Sequence, residues 1–360
     1  AEKFGKELRR SIGQPGLPEV LSIGKSSKDY RKRADRFFDF CSRMRFRITP
    51  SQCLDNSLCD YADFQYVDGE GVEHGEKLKA SLNALYPELL GPSLCHVPNF
   101  VRSLKGWRRM APTRSRNAIP EAVMFAISAI LDRRGHAEMG LVNRTLFSTY
   151  LRPSALFMLM TVDLLEAPSS ISGMAPFPAL ILAPEERDER TKTGQYDQTV
   201  LLDDARDPRL GMELIGQRDL RREQFGLTAE ADVGELPLFG VKPKQFVEEW
   251  KSAVEWLKLG DMCRSPYQNR HGGPSRDIQL RLRGLLEVQR RGHWQSATSL
   301  TNYEKAARLH KLIAQVEPWV LELGEEYRLR CKGDGPMSSR PRPPCRPRPS
   351  PQNASQIHML

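Results

Sequence analysis

The stretch RGHWQSATSLTNYE, residues 291–304, sets an indole and a phenol nine positions apart, at Trp294 and Tyr303. Aromatic side chains of folded proteins belong mostly to the core, and that explanation is open for both residues. A phenol can also act as a nucleophile, and an indole N–H can donate a hydrogen bond to a phosphate. Residues elsewhere in the chain decide between the two explanations.

Three other segments each contain a basic residue of interest. Considered alone, each of these residues can be explained as a helix cap, a turn residue or a surface charge. Arg152 lies in the apolar segment YLRPSALFMLMTVDLL. Lys192 lies in the charged turn RTKTGQYD, between two β-rich runs, and Arg270 lies in PYQNRHGGPSRD. The informative feature is their order along the chain.

Together with Trp294 and Tyr303, these segments resemble the tyrosine recombinases, the phage integrase and Cre-like family of DNA strand transferases. That family has an arginine in a leucine-rich helix, a lysine in a β-turn, a His-x-x-Arg box, a His or Trp after glycine, and a tyrosine nine residues later, as here. The resemblance extends over roughly residues 118–310 and is most specific from Arg270 to Tyr303. It implies a catalytic set with Tyr303 as the nucleophile: Arg152, Lys192, Tyr267, Arg270, Trp294 and Tyr303.

The implied chemistry is the breaking and rejoining of DNA through a 3′-phosphotyrosyl intermediate. The phenol, with an unperturbed pKa of about 10, attacks phosphorus, and the resulting ester keeps the bond energy for rejoining. Two guanidiniums bind the non-bridging oxygens in a bidentate manner. Lys192 protonates the leaving 5′-oxygen, and the Trp294 N–H donates one further hydrogen bond. The resemblance therefore implies an enzyme that needs no metal ion, no ATP and no other cofactor.

Two positions depart from the family pattern. Tyr267 stands where the His-x-x-Arg box usually opens with histidine, and Ala155 stands where an acidic residue often follows the first arginine. Two alternatives therefore stay open beside a site-specific recombinase or integrase. One is a domesticated DNA-binding protein with an impaired site. The other is an enzyme of the type IB topoisomerase kind, which uses the same chemistry on one duplex.

The composition agrees with a DNA-binding protein. The net charge is +9, and arginines interleaved with aromatic residues form three runs, 30–47, 102–116 and 283–294. A basic chain favours a polyanionic partner, here double-stranded DNA. The seven cysteines lack CxxC spacing and the seven histidines lack HExxH spacing, which predicts reduced thiols and no metal site. No apolar run reaches the ~20 residues of a membrane helix, so no membrane partner is expected.

Hydrophobic periodicity predicts a mainly α fold with a small β-sheet. Phe37, Phe40 and Cys41 share one helical face, and the runs flanking Lys192 predict a hairpin. We expect an N-terminal arm over 1–27, a helical core-binding (DNA-binding) domain over 28–112, a linker over 113–120, an α+β catalytic domain over 118–330 and a disordered Pro/Arg-rich tail over 331–360. The resemblance implies a homotetramer on two DNA sites. The basic tail favours a nuclear protein if the chain comes from a eukaryotic mobile element, and a prokaryotic origin would place it in the cytoplasm or nucleoid.

Four segments of the expected catalytic domain are predicted to be helical. The first three are 121–134, 140–165 and 244–260, of which the third has Phe246, Val247, Trp250, Val254 and Leu257 on one stripe. The fourth is 304–329. The last has an apolar stripe formed by Ala307, Leu309, Leu312, Ile313, Val316, Trp319, Val320 and Leu323. This stripe either completes the core of its own subunit or, as the resemblance implies, docks on a neighbouring protomer.

Overall fold

The computed structural model describes residues 27–48, 51–86, 97–112, 117–168, 173, 175–188, 191, 195–227, 236–296, 300, 303 and 306–333. The chain divides into two compact units, Ala1–Ser115 and Arg116–Leu360. The expected arm, up to residue 26, and the expected tail, from residue 334, lie outside the described residues. No helix among the described residues is long and apolar enough to cross a membrane.

In the described part of the first unit, four helices pack around one core. They are α1 (Ser27–Met44), α2 (Ser51–Val67), α3 (Val72–Leu85) and α4 (Pro98–Met110). The predicted face of α1 is confirmed, because Phe37, Phe40 and Cys41 are all buried against the other helices. The buried Asp55 carboxylate accepts hydrogen bonds from the backbone N–H groups of Asn99 and Phe100, at 3.0 and 2.8 Å. It thereby satisfies donors at the start of α4 that have no partner within the helix.

The second unit packs its helices around one central helix. Its helices are α5 (Glu121–Arg133), α6 (Ala137–Thr149), α7 (Pro153–Leu156), α8 (Leu210–Gln224), α9 (Pro243–Trp256), α10 (Asn269–Gln279), α11 (Leu285–Arg291), α12 (Ala306–Ile313) and α13 (Pro318–Lys332). The central helix is α5, whose residues from Val123 to Leu131 are all buried. Its all-round apolar sequence suits a position covered on every side by α6, α9, α10 and α13.

The sheet of the second unit has three antiparallel strands in the order β1-β2-β3: β1 (Leu164–Leu165), β2 (Ala179–Leu182) and β3 (Gln198–Leu201). Strands β2 and β3 form the predicted hairpin, with Leu180 opposite Val200. Strand β1 was not predicted, because two residues are too short for a visible alternation. Lys192 stands between β2 and β3 in the sequence and lies outside the described residues.

The prediction of one continuous helix over 140–165 is wrong. Helix α6 ends at Thr149 because Tyr150 takes a left-handed backbone conformation, with φ 58° and ψ 20°. The chain then forms the single turn α7, a 3₁₀ turn at Thr161–Asp163 and strand β1. This apolar segment therefore forms several short elements instead of one helix. Its amino-acid composition does not reveal the left-handed turn at Tyr150.

The prediction of one helix over 304–329 is also wrong, since α12 ends at Ile313 and α13 begins at Pro318. Much of the apolar stripe lies in the core of its own chain: Leu312, Val316, Val320 and Leu323. Helix α13 packs closely on α5, where Gly324 lies against the carbonyl of Ala122. Of the two explanations that the sequence left open, this arrangement favours the subunit's own core over a neighbouring protomer.

Candidate active site

The site is built where helix α10 begins, and Arg270 is the second residue of that helix. The loop before it is fixed by the buried side chain of Gln268. Its amide donates to the carbonyls of Asn117 and Met262, at 3.0 and 2.9 Å, and its oxygen accepts from two loop N–H groups. Helix α10 lies directly on α6 because position 273 is glycine, and a Cβ there would overlap the Phe147 carbonyl oxygen. Arg270 is thereby held at the end of α6.

The guanidinium of Arg270 is buried and held by two backbone carbonyls. Nη1 donates to the carbonyl of Tyr150, and Nη2 donates to the carbonyl of Gly292 at 2.8 Å. Burial and the positive charge of Arg152 lower the pKa of Arg270, although an arginine remains protonated at neutral pH. Among the residues that the structure describes, no carboxylate pairs with Arg152 or Arg270. Two neighbouring cations without an acidic partner form a setting that favours an anion.

Arg152 lies between α6 and α7, at the first turn of α7. Its carbonyl accepts the N–H groups of Ala155 and Leu156, at 2.9 and 3.1 Å, so the backbone at this position is fixed. The side chain is half-buried and acts electrostatically on Arg270. The structure therefore brings the two predicted arginines together from two segments that lie far apart in sequence.

Four rings form a continuous chain beside Arg270. The Trp294 ring lies 4.8 Å from Arg270 Cζ, and its centroid is 5.1 Å from that of Tyr303. The Tyr303 ring lies 5.6 Å from His271, which lies 5.6 Å from Tyr267. All the predicted site residues that the structure describes, Arg152, Tyr267, Arg270, Trp294 and Tyr303, thus meet in one place.

Tyr303 is buried in this structure, with 4% of its surface exposed. Burial, with a smaller contribution from Tyr267, raises the pKa of its phenol to about 12 against the opposing effect of the Arg270 charge. Its backbone N–H donates to the carbonyl of Leu300 at 2.8 Å. The phenol is therefore neutral at physiological pH, and it is covered by Trp294 and His271.

Two histidines of the site were not predicted. His271 follows Arg270 instead of preceding it by three positions, so it does not fit the His-x-x-Arg box. A usable signal is that Tyr267 and His271 are four residues apart at the start of a helix, which places them on one face. His293 has φ 52°, and burial together with the charges of Arg270 and Arg152 lowers its pKa to about 4. Its Nε2 is buried and has no partner among the described residues.

A buried network of ion pairs lies behind the site and joins α10 and α11 to the segment after β3. Its members are Arg276, Arg283 and Arg291 with Asp203, Asp204 and Asp277. Arg276 bonds to Asp204 at 2.9 Å and to Asp277 at 2.6 Å, and Arg291 bonds to Asp203 at 2.7 Å. Burial opposes the charge on Asp204, but Arg276 and Ser148 outweigh it and lower the pKa of this carboxyl. The hairpin that carries the predicted lysine is thus tied to the helix that carries the predicted arginine.

Metal-ligating side chains do not cluster in the part of the chain that the structure describes: no group of three or more His, Cys, Asp or Glu residues is placed to hold an ion. The cysteines at 41, 53, 59, 263 and 331 are free thiols. Burial raises the pKa of Cys263 to about 12, so this thiol is protonated and unreactive at neutral pH.

No protein-family model matches the chain, and no curated protein matches it. Solved structures do. The integrase of the transposon Tn1549 in complex with transposon right end DNA is similar at 14% identity over 87% of this chain and 97% of that one, with a TM-score of 0.50. The same integrase in complex with circular intermediate DNA is similar at 14% identity over 86% and 97%, with a TM-score of 0.50. The XerH site-specific recombinase, bound to palindromic difH substrate in a post-cleavage complex, is similar at 14% identity over 74% and 72%, with a TM-score of 0.46.

The chain has the fold of an integrase. The predicted fold class, a helical N-terminal part followed by an α+β part with a small sheet, is confirmed by the Tn1549 structures. The resemblance to the tyrosine recombinases, which rested on a few motifs, therefore extends to the architecture. The roles of the individual residues do not follow from the fold.

Proposed function

We propose that the chain is a tyrosine recombinase that breaks and rejoins double-stranded DNA through a phosphotyrosyl intermediate on Tyr303. The observation that carries the proposal is the meeting of Arg152, Arg270, Trp294 and Tyr303 at one place, with no carboxylate among the described residues to neutralise the arginines. A phosphodiester bound between the two guanidiniums supplies that negative charge. Its phosphorus then lies near Trp294, whose ring contacts the Tyr303 phenol.

Each side chain has a defined part in the reaction. The Tyr303 oxygen forms a bond to phosphorus and its proton passes to solvent, while the bond from phosphorus to the 5′-oxygen breaks and Lys192 delivers a proton to that oxygen. Arg152 and Arg270 bind the non-bridging oxygens, whose negative charge increases in the transition state. Trp294 donates its N–H to the phosphate, and Tyr267 supports Arg270, to which it is electrostatically coupled. Rejoining is the reverse reaction, with a 5′-hydroxyl as the attacking group.

The burial of Tyr303 adds a step before cleavage. The phenol is packed between Trp294 and His271 and is neutral, so it has to leave this position to reach a phosphorus atom. The proposal therefore includes an uncovering of Tyr303 when DNA is bound. In the free protein, Trp294 and His271 then keep the Tyr303 phenol from unproductive attack. Trp294 also belongs to the proposed phosphate site.

A suicide substrate tests the proposal. A duplex is nicked so that the fragment with the free 5′-hydroxyl diffuses away after cleavage, which traps the covalent protein–DNA adduct. We expect an adduct that survives denaturing electrophoresis and forms in the presence of EDTA. Absence of an adduct, with DNA binding intact, would instead support a domesticated DNA-binding protein.

The type IB topoisomerase alternative is separated by a second assay, in which a supercoiled plasmid without a recognition site is relaxed. We expect no relaxation of such a plasmid. Relaxation of a plasmid without a recognition site would favour the topoisomerase. A homotetramer on two sites, a mobile-element origin and a nuclear location are proposed on the resemblance alone.

A further inference from the structure

Tyr150 has an unusual backbone conformation for a large residue. It lies at the C-terminal end of α6 with φ 58° and ψ 20°, in the left-handed region that glycine adopts freely and bulky residues adopt at a cost in free energy. Its side chain is fully buried. A glycine at this position would form the same turn without strain, so the tyrosine has to contribute something that the turn itself does not need.

The backbone of Tyr150 holds the guanidinium of Arg270. The left-handed turn directs the Tyr150 carbonyl at Nη1 of Arg270, while the Gly292 carbonyl takes Nη2 at 2.8 Å. With both terminal nitrogens fixed, the plane of the guanidinium is fixed too. Hydrogen bonds of this kind are strong because the donor is charged.

The ring of Tyr150 supports Trp294 from behind. The two rings are stacked, with centroids 6.2 Å apart and an angle of 25° between the planes. Trp294 in turn contacts both Arg270 and Tyr303. The guanidinium of Arg291 also lies over the Tyr150 ring, with its Cζ 5.4 Å from the centroid.

The hydroxyl of Tyr150 anchors the ring to the buried ion-pair network. It donates to Asp277 Oδ2, and Asp277 also bonds to Arg276 and Arg283, at 2.6 and 2.5 Å. Burial, together with Asp277, raises the pKa of this phenol well above its usual value, so it remains protonated. It is also too deeply buried to act as a nucleophile.

We propose that Tyr150 is a positioning residue, which orients Arg270 through its carbonyl and Trp294 through its ring so that both present a preformed site to an oxyanion. The inference rests on the proposed function in one respect, that Arg270 and Trp294 bind a phosphate. It assigns Tyr150 no contact with DNA and no part in proton transfer.

The test is binding of a tetrahedral oxyanion, sodium tungstate, to the full chain by isothermal titration calorimetry. Three substitutions separate the contributions of Tyr150. Tyr150→Leu removes the ring but keeps a large apolar side chain, Tyr150→Phe removes only the hydroxyl, and Tyr150→Gly removes the ring and the backbone strain together. Arg270→Ala identifies the part of the binding that belongs to this site. Tyr327→Leu is the matched control, because Tyr327 is a buried tyrosine of the same unit that packs near Phe125.

We expect Tyr150→Leu to weaken the Arg270-dependent binding on the order of tenfold, because Trp294 loses the aromatic ring on which it stacks. Tyr150→Phe keeps the ring, so its tungstate affinity should stay within a few-fold of wild type. Tyr327→Leu should lower thermal stability without changing tungstate affinity. If Tyr150→Leu does not fold, Tyr150→Gly decides by the same criterion. Wild-type affinity in a folded Leu or Gly variant overturns the proposal, as does the absence of Arg270-dependent binding in the wild type. Failure of both variants to fold makes Tyr150 a structural residue and overturns it as well.

Cleavage of the suicide substrate distinguishes this inference from the proposed function. If tungstate binding responds as expected while the wild type forms no adduct, the proposed function fails and the positioning role stands. If the wild type forms the adduct and Tyr150→Leu binds and cleaves like it, only the positioning role fails. In the cleaving protein, Tyr150→Leu and Trp294→Leu should be non-additive, because Tyr150 acts through Trp294.

Discussion

Arg270 is held in a way that lysine cannot reproduce. Its two terminal nitrogens bond to two different carbonyls and its Cζ lies over the Trp294 ring, whereas an ammonium is a point charge without a plane. We expect Arg270→Lys to slow single-turnover cleavage about 10²–10³-fold, the usual effect of losing one transition-state donor. DNA affinity should stay within a few-fold. Arg290→Lys is the control, since Arg290 is exposed on α11, and equal rates for the two variants would contradict the assignment of Arg270.

His293 makes folding stability depend on pH. Burial, together with the charges of Arg270, Arg152 and Arg291, lowers the pKa of His293 from 6.5 to about 4. Between these values the unfolded chain binds a proton at this position and the folded chain does not, so stability falls as the pH drops through this window. In His293→Asn, which also tolerates a positive φ, this contribution is absent. Urea unfolding at pH 6.5 and near pH 4 should show a smaller decrease for the variant than for the wild type, and equal decreases would contradict this explanation.

At the scale of single residues, the sequence predicts the site residues that have a characteristic separation along the chain. It misses the site residues that only folding brings together. Trp294, Tyr303 and Arg270 are recognisable because their separations along the chain are characteristic. His271 and His293 join the site only because of how the helix start and the turn after α11 fold. The left-handed turn at Tyr150 carries no signal in sequence, because a large residue there runs against the preference for glycine.

Helix α13 and helix α5 approach each other so closely that their contact leaves no space for a side chain at Gly324. A Cβ at this position would overlap the Ala122 carbonyl oxygen. We expect Gly324→Ala to destabilise the protein by about 1–3 kcal/mol, the range for overpacking in a core. Gly216→Ala on α8 is the matched control, because nothing lies within 4 Å of a Cβ there. An alanine in an exposed helix should stabilise by about 0.5–1 kcal/mol. Thermal unfolding should therefore show opposite shifts, and shifts of the same sign would contradict this packing.

At the scale of elements, strong periodicity is a reliable guide and interruptions are not. The stripe of α9 is confirmed at Phe246, Trp250, Val254 and Leu257, all of them buried. The break between α12 and α13 had a visible signal, because Pro318 is favoured at the first position of a helix and disfavoured inside one. Strand β1 had none, since its two residues have hydrogen bonds only because β2 lies beside them.

At the scale of the whole molecule, the chain consists of two units, each with its own core. Helix α1 of the first unit exposes a series of basic side chains: Lys28, Arg31, Lys32, Arg36 and Arg43. If both units bind DNA, log affinity should fall linearly with log salt concentration, by about 0.9 per phosphate contacted. Residues 116–360 alone should bind much more weakly and with a shallower slope. Unchanged affinity and slope after removal of the first unit would refute a role for that unit in DNA binding.

Tyr303 is the proposed nucleophile. This role is tested most directly by identifying the residue that is bound to DNA in the trapped adduct. The adduct is digested with a protease and the peptide that carries the nucleotide is sequenced by mass spectrometry. Tyr303→Phe removes one hydroxyl and keeps the ring that packs on Trp294, so folding and DNA binding should persist while the adduct disappears. Tyr267→Phe, the matched control in the same ring chain, should still form the adduct, although more slowly. We predict that the nucleotide is found on Tyr303; a nucleotide on Tyr267 or on any other residue would contradict the account.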